Sequence, residues 1–164
     1  MIDAETRALA ERVLAACRAR GWTLATAESC TGGLVAGALT EIAGSSDVVD
    51  RGFVTYSNAA KIAMLGVPED TLEKFGAVSR QTAEAMANGA LERAGVDLAV
   101  SITGIAGPGG GSATKPVGLV YFTAAVRNSQ ARIELKMLYG DIGRSEVRRR
   151  SVLDALNMLL ELAA

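Results

Sequence analysis

The sequence has 164 residues, with 17 basic and 18 acidic side chains, two cysteines and no histidine. The absence of histidine excludes a Ser-His-Asp triad, a Cys-His pair, imidazole ligands for zinc and a histidine proton shuttle within this chain. A formal charge of −1 and only 4% aromatic residues predict neither a broad field that attracts nucleic acid nor a series of base-stacking platforms.

The first half of the chain alternates helical and strand-like patterns. These patterns predict a helix over 3–20 that stops at Gly21, a strand over 22–27, a helix over about 32–42, a strand over 51–57, and short helices over 58–65 and 68–74. Ser79 is a favourable N-cap for a further helix that reaches residue 93 and is closed by Gly95.

The second half begins with an apolar run over 97–103 that is typical of a strand buried on both faces. A glycine-rich loop over 104–112 follows, then two strands over 117–126 and 131–139 joined by a polar turn, and a final helix over about 144–162. Together these elements predict one domain over 1–164, a three-layer α/β/α fold with a mixed sheet that includes a C-terminal antiparallel hairpin.

Three features predict where the protein is located. The N-terminal residues lack the basic-then-apolar pattern of a signal peptide, and the longest smooth apolar stretch, 117–126, is far shorter than a membrane helix requires. Cys17 and Cys30 have neither metal-binding nor redox spacing and are most simply free thiols. We therefore expect a soluble cytoplasmic domain.

The segment at 28–33, Glu-Ser-Cys-Thr-Gly-Gly, joins the first predicted strand to the next helix. Ser29 lies where free backbone N–H groups and the helix dipole favour an anion, which suits a phosphate or a developing oxyanion. The alternative is that Ser29 or Thr31 only caps the helix. Cys30 is a second candidate nucleophile, but without a histidine to activate it a small buried residue is the ordinary interpretation.

A second segment, at 55–61, places Tyr56 and Lys61 across a strand-to-helix junction, so that both side chains could point into one cleft. A lysine driven toward its neutral form by burial can deprotonate a serine, whereas a solvated surface lysine is the alternative. Because the chain has no histidine, a base for catalysis would have to be such a lysine, a carboxylate, a cysteine, a tyrosine or a metal-bound water.

Glycines and arginines form two further candidate anion sites. The loop over 104–112 contains five glycines within eight residues, which lets consecutive N–H groups wrap a phosphate, although a mobile surface connection explains it equally well. Arg144 and Arg148 share a face at the start of the last helix and could grip one phosphate, or belong to a solvated helix face. No spaced acidic cluster indicates a metal site.

Four motifs follow one another along the chain. They are Ala-Glu-Ser-Cys-Thr-Gly-Gly at 27–33, Gly-Phe-Val-Thr-Tyr-Ser-Asn at 52–58 with Lys61, Gly-Ala-Val-Ser at 76–79, and the glycine loop followed by Lys-Pro-Val-Gly at 115–118. In this order they resemble the C-terminal domain of the CinA family, and most of all its stand-alone nicotinamide-nucleotide amidases of the PncC type. The resemblance covers nearly the whole chain. It implies hydrolysis of nicotinamide mononucleotide to nicotinate mononucleotide and ammonia, with no cofactor and no metal.

The resemblance also implies roles for individual residues. Ser29 is the implied nucleophile, Lys61 its general base, and Tyr56 is positioned beside Lys61. The backbone N–H groups of Thr31 and Gly32 are implied to hold the oxyanion. The other implied substrate-binding residues are Thr103, Gly104, Ala106, Gly107, Gly110 and Arg144, and the spacing of Arg148 from Arg144 adds Arg148 to the predicted substrate-binding residues.

The chain departs from the family pattern before its last helix. In the family a Gly-Asp-Arg sequence precedes this helix, whereas here Ile142 and Gly143 separate Asp141 from Arg144. Whether Arg144 reaches the substrate phosphate therefore depends on the path of the chain at this point.

Two other classes of function remain as alternatives. A non-catalytic nucleotide-binding or regulatory partner in competence or the DNA-damage response, as the family name suggests, would bind nucleotide without turnover. Direct DNA binding through the arginine cluster is weaker, because the net charge is near zero and aromatic residues are sparse. We therefore expect a small-molecule nucleotide as the partner and no membrane, and family habit together with the apolar hairpin predicts a homodimer.

Overall fold

A five-stranded mixed sheet forms the centre of the computed structural model, which describes all residues from Met1 to Ala164. Its strands are β1 (Leu24–Glu28), β2 (Val49–Val54), β3 (Leu98–Gly104), β4 (Leu119–Val126) and β5 (Arg132–Leu138). The spatial order is β2-β1-β3-β4-β5, in which β2, β1 and β3 are parallel and the β3–β4 and β4–β5 pairs are antiparallel. The predicted mixed sheet with a C-terminal antiparallel hairpin is confirmed.

Helices cover both faces of this sheet. They are α1 (Ala4–Arg20), α2 (Leu34–Thr40), α3 (Asn58–Leu65), α4 (Glu69–Phe75), α5 (Arg80–Ala94) and α6 (Arg144–Ala163), with an unpredicted 3₁₀ turn at Ser45–Asp47. One core cluster joins α1, α2 and α6 to one face, and a second joins α3, α4 and α5 to the other. The predicted three-layer α/β/α fold is therefore confirmed. None of the helices has the length and apolar character needed to cross a membrane.

Strand β3 is covered on both faces, by one of the two core clusters on each side. Leu98, Val100 and Ile102 belong to one cluster and Ala99 to the other, and all four are fully buried. A strand covered on both faces does not alternate between polar and apolar residues. This double burial explains the continuous apolar run at 97–103 and confirms the prediction made from it.

Local backbone conformation moves two element boundaries from their predicted positions. Helix α2 begins at Leu34 rather than near residue 32, because Gly32 and Gly33 have positive φ angles of 58° and 101° that a right-handed helix does not contain. Strand β2 ends at Val54 rather than at residue 57, and the chain then turns so that the Ser57 side chain caps α3.

The topology brings three polar segments to one edge of the sheet. Ser29 follows β1, Thr55 follows β2 and Gly104 ends β3, and these three strands are parallel. Two hydrogen bonds extend the pairing beyond the strand ends: the Thr55 N–H donates to the Glu28 carbonyl at 2.8 Å, and the Ser29 N–H donates to the Ile102 carbonyl at 2.9 Å. The carboxyl ends of neighbouring parallel strands are the usual place for a ligand in open α/β sheets.

The contact between α3 and α5 predicts a strong effect of a methyl group at Gly89. A Cβ built there would lie 2.0 Å from the carbonyl oxygen of Leu65, whereas a Cβ at Gly37 on α2 would meet no atom within 4 Å. We expect Gly89→Ala to lower the free energy of unfolding by about 1–3 kcal/mol and Gly37→Ala to raise it by about 0.5–1 kcal/mol through helix propensity. Urea denaturation followed by circular dichroism measures both, and equal stabilities of the two variants would contradict the packing.

Candidate active site

Ser29 and Lys61 form a hydrogen-bonded pair at this edge of the sheet. The Nζ of Lys61, on α3, donates to Ser29 Oγ at 3.1 Å and to the carbonyl oxygen of Thr55 at 2.9 Å. Only 1% of Lys61 is exposed, so its aliphatic chain is packed inside the protein and its amine is held against the hydroxyl. The structure thus brings together the two residues to which the resemblance gave the roles of nucleophile and base.

The surroundings of Lys61 favour its neutral form. Both hydrogen-bond partners of Nζ are uncharged oxygens, and no carboxylate stabilises the ammonium. Burial therefore lowers the pKa of Lys61 from its ordinary value of 10.5, because the charged form loses its hydration. A neutral amine can accept the proton of a serine hydroxyl, so this pair is chemically suited to nucleophilic catalysis.

The neighbouring thiol is poorly suited to the same role. Cys30 is only 5% exposed, and burial raises the pKa of its thiol to about 12. Such a thiol stays protonated at neutral pH, whereas it is the thiolate that attacks a carbonyl carbon. Ser29 is therefore the nucleophile that this geometry favours.

The carboxylate of Glu28 occupies the N-terminus of α2. It is fully buried and accepts hydrogen bonds from the N–H groups of Val35 (2.9 Å) and Ala36 (3.0 Å) and from the hydroxyls of Thr26 (3.2 Å) and Thr31 (2.7 Å). Four donors satisfy the acceptor capacity that a buried carboxylate requires. The N–H groups of Val35 and Ala36 are therefore not free to bind a substrate anion or an oxyanion, because Glu28 already accepts from them.

The turn between Ser29 and α2 leaves three backbone N–H groups without an acceptor in the chain, those of Cys30, Thr31 and Gly33. The Gly32 N–H donates to the Ser29 carbonyl at 3.0 Å, so it is not free to hold an oxyanion as the resemblance implied. The N–H groups of Cys30 and Thr31 have no acceptor within the chain. These two groups, which directly follow Ser29, are the better candidates for oxyanion donors.

A cavity of about 240 Å³ opens beside the Ser29–Lys61 pair. The predicted site residues that line it are Ser29, Tyr56, Lys61, Thr103, Gly104, Ala106 and Arg144. Those that do not line it are Thr31, Gly32, Gly107, Gly110 and Arg148. Sequence reasoning gave no role to three other lining residues, Asn58, Ala77 and Val78. The motifs at 52–58 and 76–79 contain all three, so membership of a motif is the sequence signal that identifies them.

Arg144 spans the mouth of the cavity. Its guanidinium donates to the Tyr56 hydroxyl at 2.6 Å and to the Gly107 carbonyl at 2.9 Å. The two residues inserted before Arg144 therefore do not keep it away from the site. Tyr56 is 61% exposed, so the phenol and the guanidinium meet where a ligand would enter.

The glycine-rich loop presents backbone N–H groups next to Arg144. From Ala106 to Gly111, no N–H group donates to an acceptor within the chain. Free N–H groups beside a guanidinium suit a phosphate. Thr103 has a different relation to the cavity, because its hydroxyl donates to the Ala77 carbonyl at 2.7 Å and so fixes a segment of the lining.

Arg148 contacts the turn that follows Ser29 without lining the cavity. Its Nε donates to the Cys30 carbonyl at 3.1 Å, and its Nη2 donates to the Thr31 carbonyl at 3.4 Å. The predicted grip of one phosphate by Arg144 and Arg148 together is therefore not formed. Only Arg144 reaches the entrance of the cavity.

The fold and the site together define an α/β/α protein with a serine and a buried lysine paired at the carboxyl ends of its parallel strands. Comparison with known families agrees with this class and identifies the family within it. The family described as the CinA C-terminal domain matches residues 6–163. The chain therefore belongs to the CinA C-terminal domain family.

Several relatives are similar over nearly their whole length. A protein from Enterobacter agglomerans named nicotinamide-nucleotide amidohydrolase PncC is 50% identical over 160 residues, which cover 98% of this chain and 96% of the relative. A protein of the same name from Escherichia coli strain K12 is 52% identical over 159 residues, which cover 97% and 95%. The crystal structure of the competence/damage inducible protein CihA from Agrobacterium tumefaciens is 57% identical, has a TM-score of 0.97, and is matched over 100% of this chain and 99% of that chain.

The burial of both cysteines predicts slow thiol chemistry in the folded protein. Burial raises the pKa of Cys17 to about 11 and that of Cys30 to about 12, so neither forms an appreciable amount of thiolate near neutral pH. With a chromogenic aromatic disulfide we expect negligible labelling of the folded chain and two reactive thiols after unfolding in guanidinium chloride. Rapid labelling of the folded protein that disappears in Cys30→Ala would contradict the unreactive state of Cys30.

Proposed function

We propose that this protein hydrolyses the carboxamide of nicotinamide mononucleotide to nicotinate mononucleotide and ammonia, with Ser29 as the nucleophile and Lys61 as the base. The observation that carries the proposal is the hydrogen bond between Ser29 Oγ and the Nζ of a buried Lys61 that has no ionic partner. The name of the two relatives described above, nicotinamide-nucleotide amidohydrolase, supports the choice of substrate.

The first half-reaction acylates the serine. Neutral Lys61 takes the proton of Ser29 Oγ while this oxygen bonds to the carboxamide carbon. The carbonyl oxygen becomes an oxyanion and accepts hydrogen bonds from the N–H groups of Cys30 and Thr31. Protonated Lys61 then gives its proton to the carboxamide nitrogen, the C–N bond breaks, ammonia leaves, and the acyl group remains as an ester of Ser29.

The second half-reaction hydrolyses this ester. Lys61, again neutral, takes a proton from a water molecule that attacks the ester carbon, and the same N–H groups hold the second oxyanion. The C–O bond to Ser29 breaks, and the proton held by Lys61 returns to Ser29 Oγ. Both half-reactions use one amine in one place, so no second base is required in a chain without histidine.

The phosphate of the nucleotide is assigned to the entrance of the cavity. Arg144 supplies a guanidinium there, and Ala106, whose N–H has no acceptor in the chain, lines the same cavity at the start of the glycine-rich loop. Binding energy from a phosphate remote from the reacting carbon can hold the carboxamide against Ser29 Oγ. Tyr56 contacts Arg144 and also lines the cavity, so it is available to contact the substrate.

Location and oligomeric state complete the proposal. A cytoplasmic location is supported by two cysteines that are free thiols, since reducing compartments keep thiols unpaired. Cell fractionation tests this location. The homodimer stays a prediction from family habit and the apolar hairpin, which light scattering on the purified protein tests.

Removal of either member of the pair should abolish amide hydrolysis. We expect Ser29→Ala and Lys61→Met each to lower kcat roughly a thousandfold or more, because the nucleophile and its base act as one unit. Ammonia release from nicotinamide mononucleotide by the purified protein measures the rate. Cys30→Ala is the matched control and should keep most of the activity, since its thiol takes no part in the proposed steps.

Two outcomes of this assay would overturn parts of the proposal. Wild-type protein that binds the nucleotide without releasing ammonia would favour the non-catalytic nucleotide-binding role. Activity that survives in Ser29→Ala and is lost in Cys30→Ala would show that the nucleophile is Cys30 and not Ser29.

The pH dependence should follow the ionisation of the lysine. Only the neutral amine accepts the serine proton, so kcat/KM should rise with pH as Lys61 loses its proton. Because burial lowers the pKa of Lys61, the midpoint of this rise should lie below the ordinary lysine value of 10.5. Initial rates from about pH 7 to about pH 9.5 test this, since carboxylates and the substrate phosphate have already titrated below that range. A rate that falls as the pH rises through this range would exclude a lysine base.

A further inference from the structure

We propose that Arg148 is a positioning residue for this reaction, which orients the Thr31 N–H toward the oxyanion and offsets the negative charge of Glu28. The inference rests on the proposed function, because it assigns a task within the same acyl-transfer chemistry. Arg148 itself would contact neither the substrate nor Ser29 Oγ.

The orientation follows from the planarity of the peptide bond. The Cys30 carbonyl and the Thr31 N–H belong to one peptide unit and point in opposite directions, because the unit is planar and trans. Arg148 Nε holds this carbonyl at 3.1 Å, so the Thr31 N–H is directed away from the guanidinium. Arg148 reaches the turn from α6, whereas Lys61 reaches Ser29 from α3 in the opposite helix layer. The Thr31 N–H therefore points away from α6 and toward the helix layer from which Lys61 reaches Ser29.

The guanidinium fixes two successive peptide units, which a single point charge would not do. Its Nη2 contacts the Thr31 carbonyl at 3.4 Å while Nε holds the preceding carbonyl. A Cβ on Gly32 would lie 3.3 Å from Arg148 Nη2, a tight contact that the guanidinium would relieve by moving a few tenths of an ångström. Gly32 also has a φ angle of 58°, in the region that glycine adopts most readily.

Charge gives a second reason for an arginine at this place. The carboxylate of Glu28 is fully buried and accepts the Thr31 hydroxyl at 2.7 Å, so a negative charge already touches the residue whose N–H would hold the oxyanion. A second negative charge developing nearby would be repelled. The guanidinium of Arg148, at the carbonyl of the same residue, opposes this repulsion. A hydrogen bond to a carbonyl also polarises its peptide unit and strengthens the N–H as a donor.

The next residue along α6 provides a matched control. Arg149 carries the same charge but forms exposed ion pairs with Asp3 and Glu5 at 2.8 Å, away from the Ser29 turn. Its loss changes the net charge by the same amount as the loss of Arg148. A difference between the two variants therefore reports on the contacts with the Cys30 and Thr31 carbonyls.

The experiment measures kcat and KM separately for Arg148→Ala, Arg148→Lys and Arg149→Ala, with ammonia release from nicotinamide mononucleotide as the readout. We expect Arg148→Ala to lower kcat roughly 10- to 100-fold while KM changes less than about threefold, because an oxyanion donor is misdirected and not removed. Arg148→Lys should be intermediate, and Arg149→Ala should match the wild type. Guanidinium ion at low, non-denaturing concentration should restore part of the kcat of Arg148→Ala, and should not restore Ser29→Ala.

Three results would overturn this inference. A raised KM with unchanged kcat would make Arg148 a substrate ligand, and wild-type kcat in Arg148→Ala would leave it without a role. If Arg148→Ala does not fold, Arg148→Lys decides the question, since wild-type kcat in that variant would exclude a need for the two-pronged contact. Wild-type protein that releases no ammonia would instead refute the proposed function, so the two failures are distinguishable.

Discussion

The site depends on holding an amine without an ionic partner where three parallel strands end. A buried ammonium in such a place is costly, so the protein environment favours the neutral base. The two oxygens that receive the Lys61 amine, Ser29 Oγ and the Thr55 carbonyl, are themselves fixed by the sheet. The Thr55 N–H bonds to the end of β1 and the Ser29 N–H bonds to the end of β3. The pairing that builds the sheet therefore also sets the distance between Ser29 Oγ and the Lys61 amine.

Hydrogen bonds to neutral groups, and not ion pairs, balance the charges around Ser29. Glu28 is satisfied by two hydroxyls and two N–H groups, and Arg148 is directed to two carbonyls. A direct ion pair would bring these side chains to each other and away from the backbone. Instead, the Glu28 carboxylate binds N–H groups at the start of α2, and the Arg148 guanidinium binds carbonyls of the turn that follows Ser29. Between them, the backbone at Cys30 and Thr31 keeps its N–H groups free.

Residue patterns predict most of this fold because each element carries its own local signals. Ser79 caps α5 through its side chain, and Gly95 ends the same helix with a φ angle of 64°. The site is predicted less completely, because a motif indicates which residues lie near one another but not which donors are already used. Arg148 is 118 residues from Cys30 along the chain, and its direction depends on a side-chain conformation that periodicity does not encode. The occupation of the α2 N–H groups by Glu28 is hidden for the same reason.

With a lysine as the proposed base, the acid–base chemistry depends on how well packing excludes water from the amine. An imidazole titrates near neutral pH in water, whereas a lysine has an ordinary pKa of 10.5 and approaches that range only where water is excluded from its amine. Leu65 and Phe53 pack in the core cluster beneath α3, so they would influence the proposed base although neither lines the cavity. If this packing loosened, water would reach Lys61, its pKa would rise toward that of a free lysine, and a smaller fraction of the amine would be neutral near pH 7. With Lys61 as the proposed base of a chain without histidine, the packing that stabilises α3 would also determine how much of the amine is neutral.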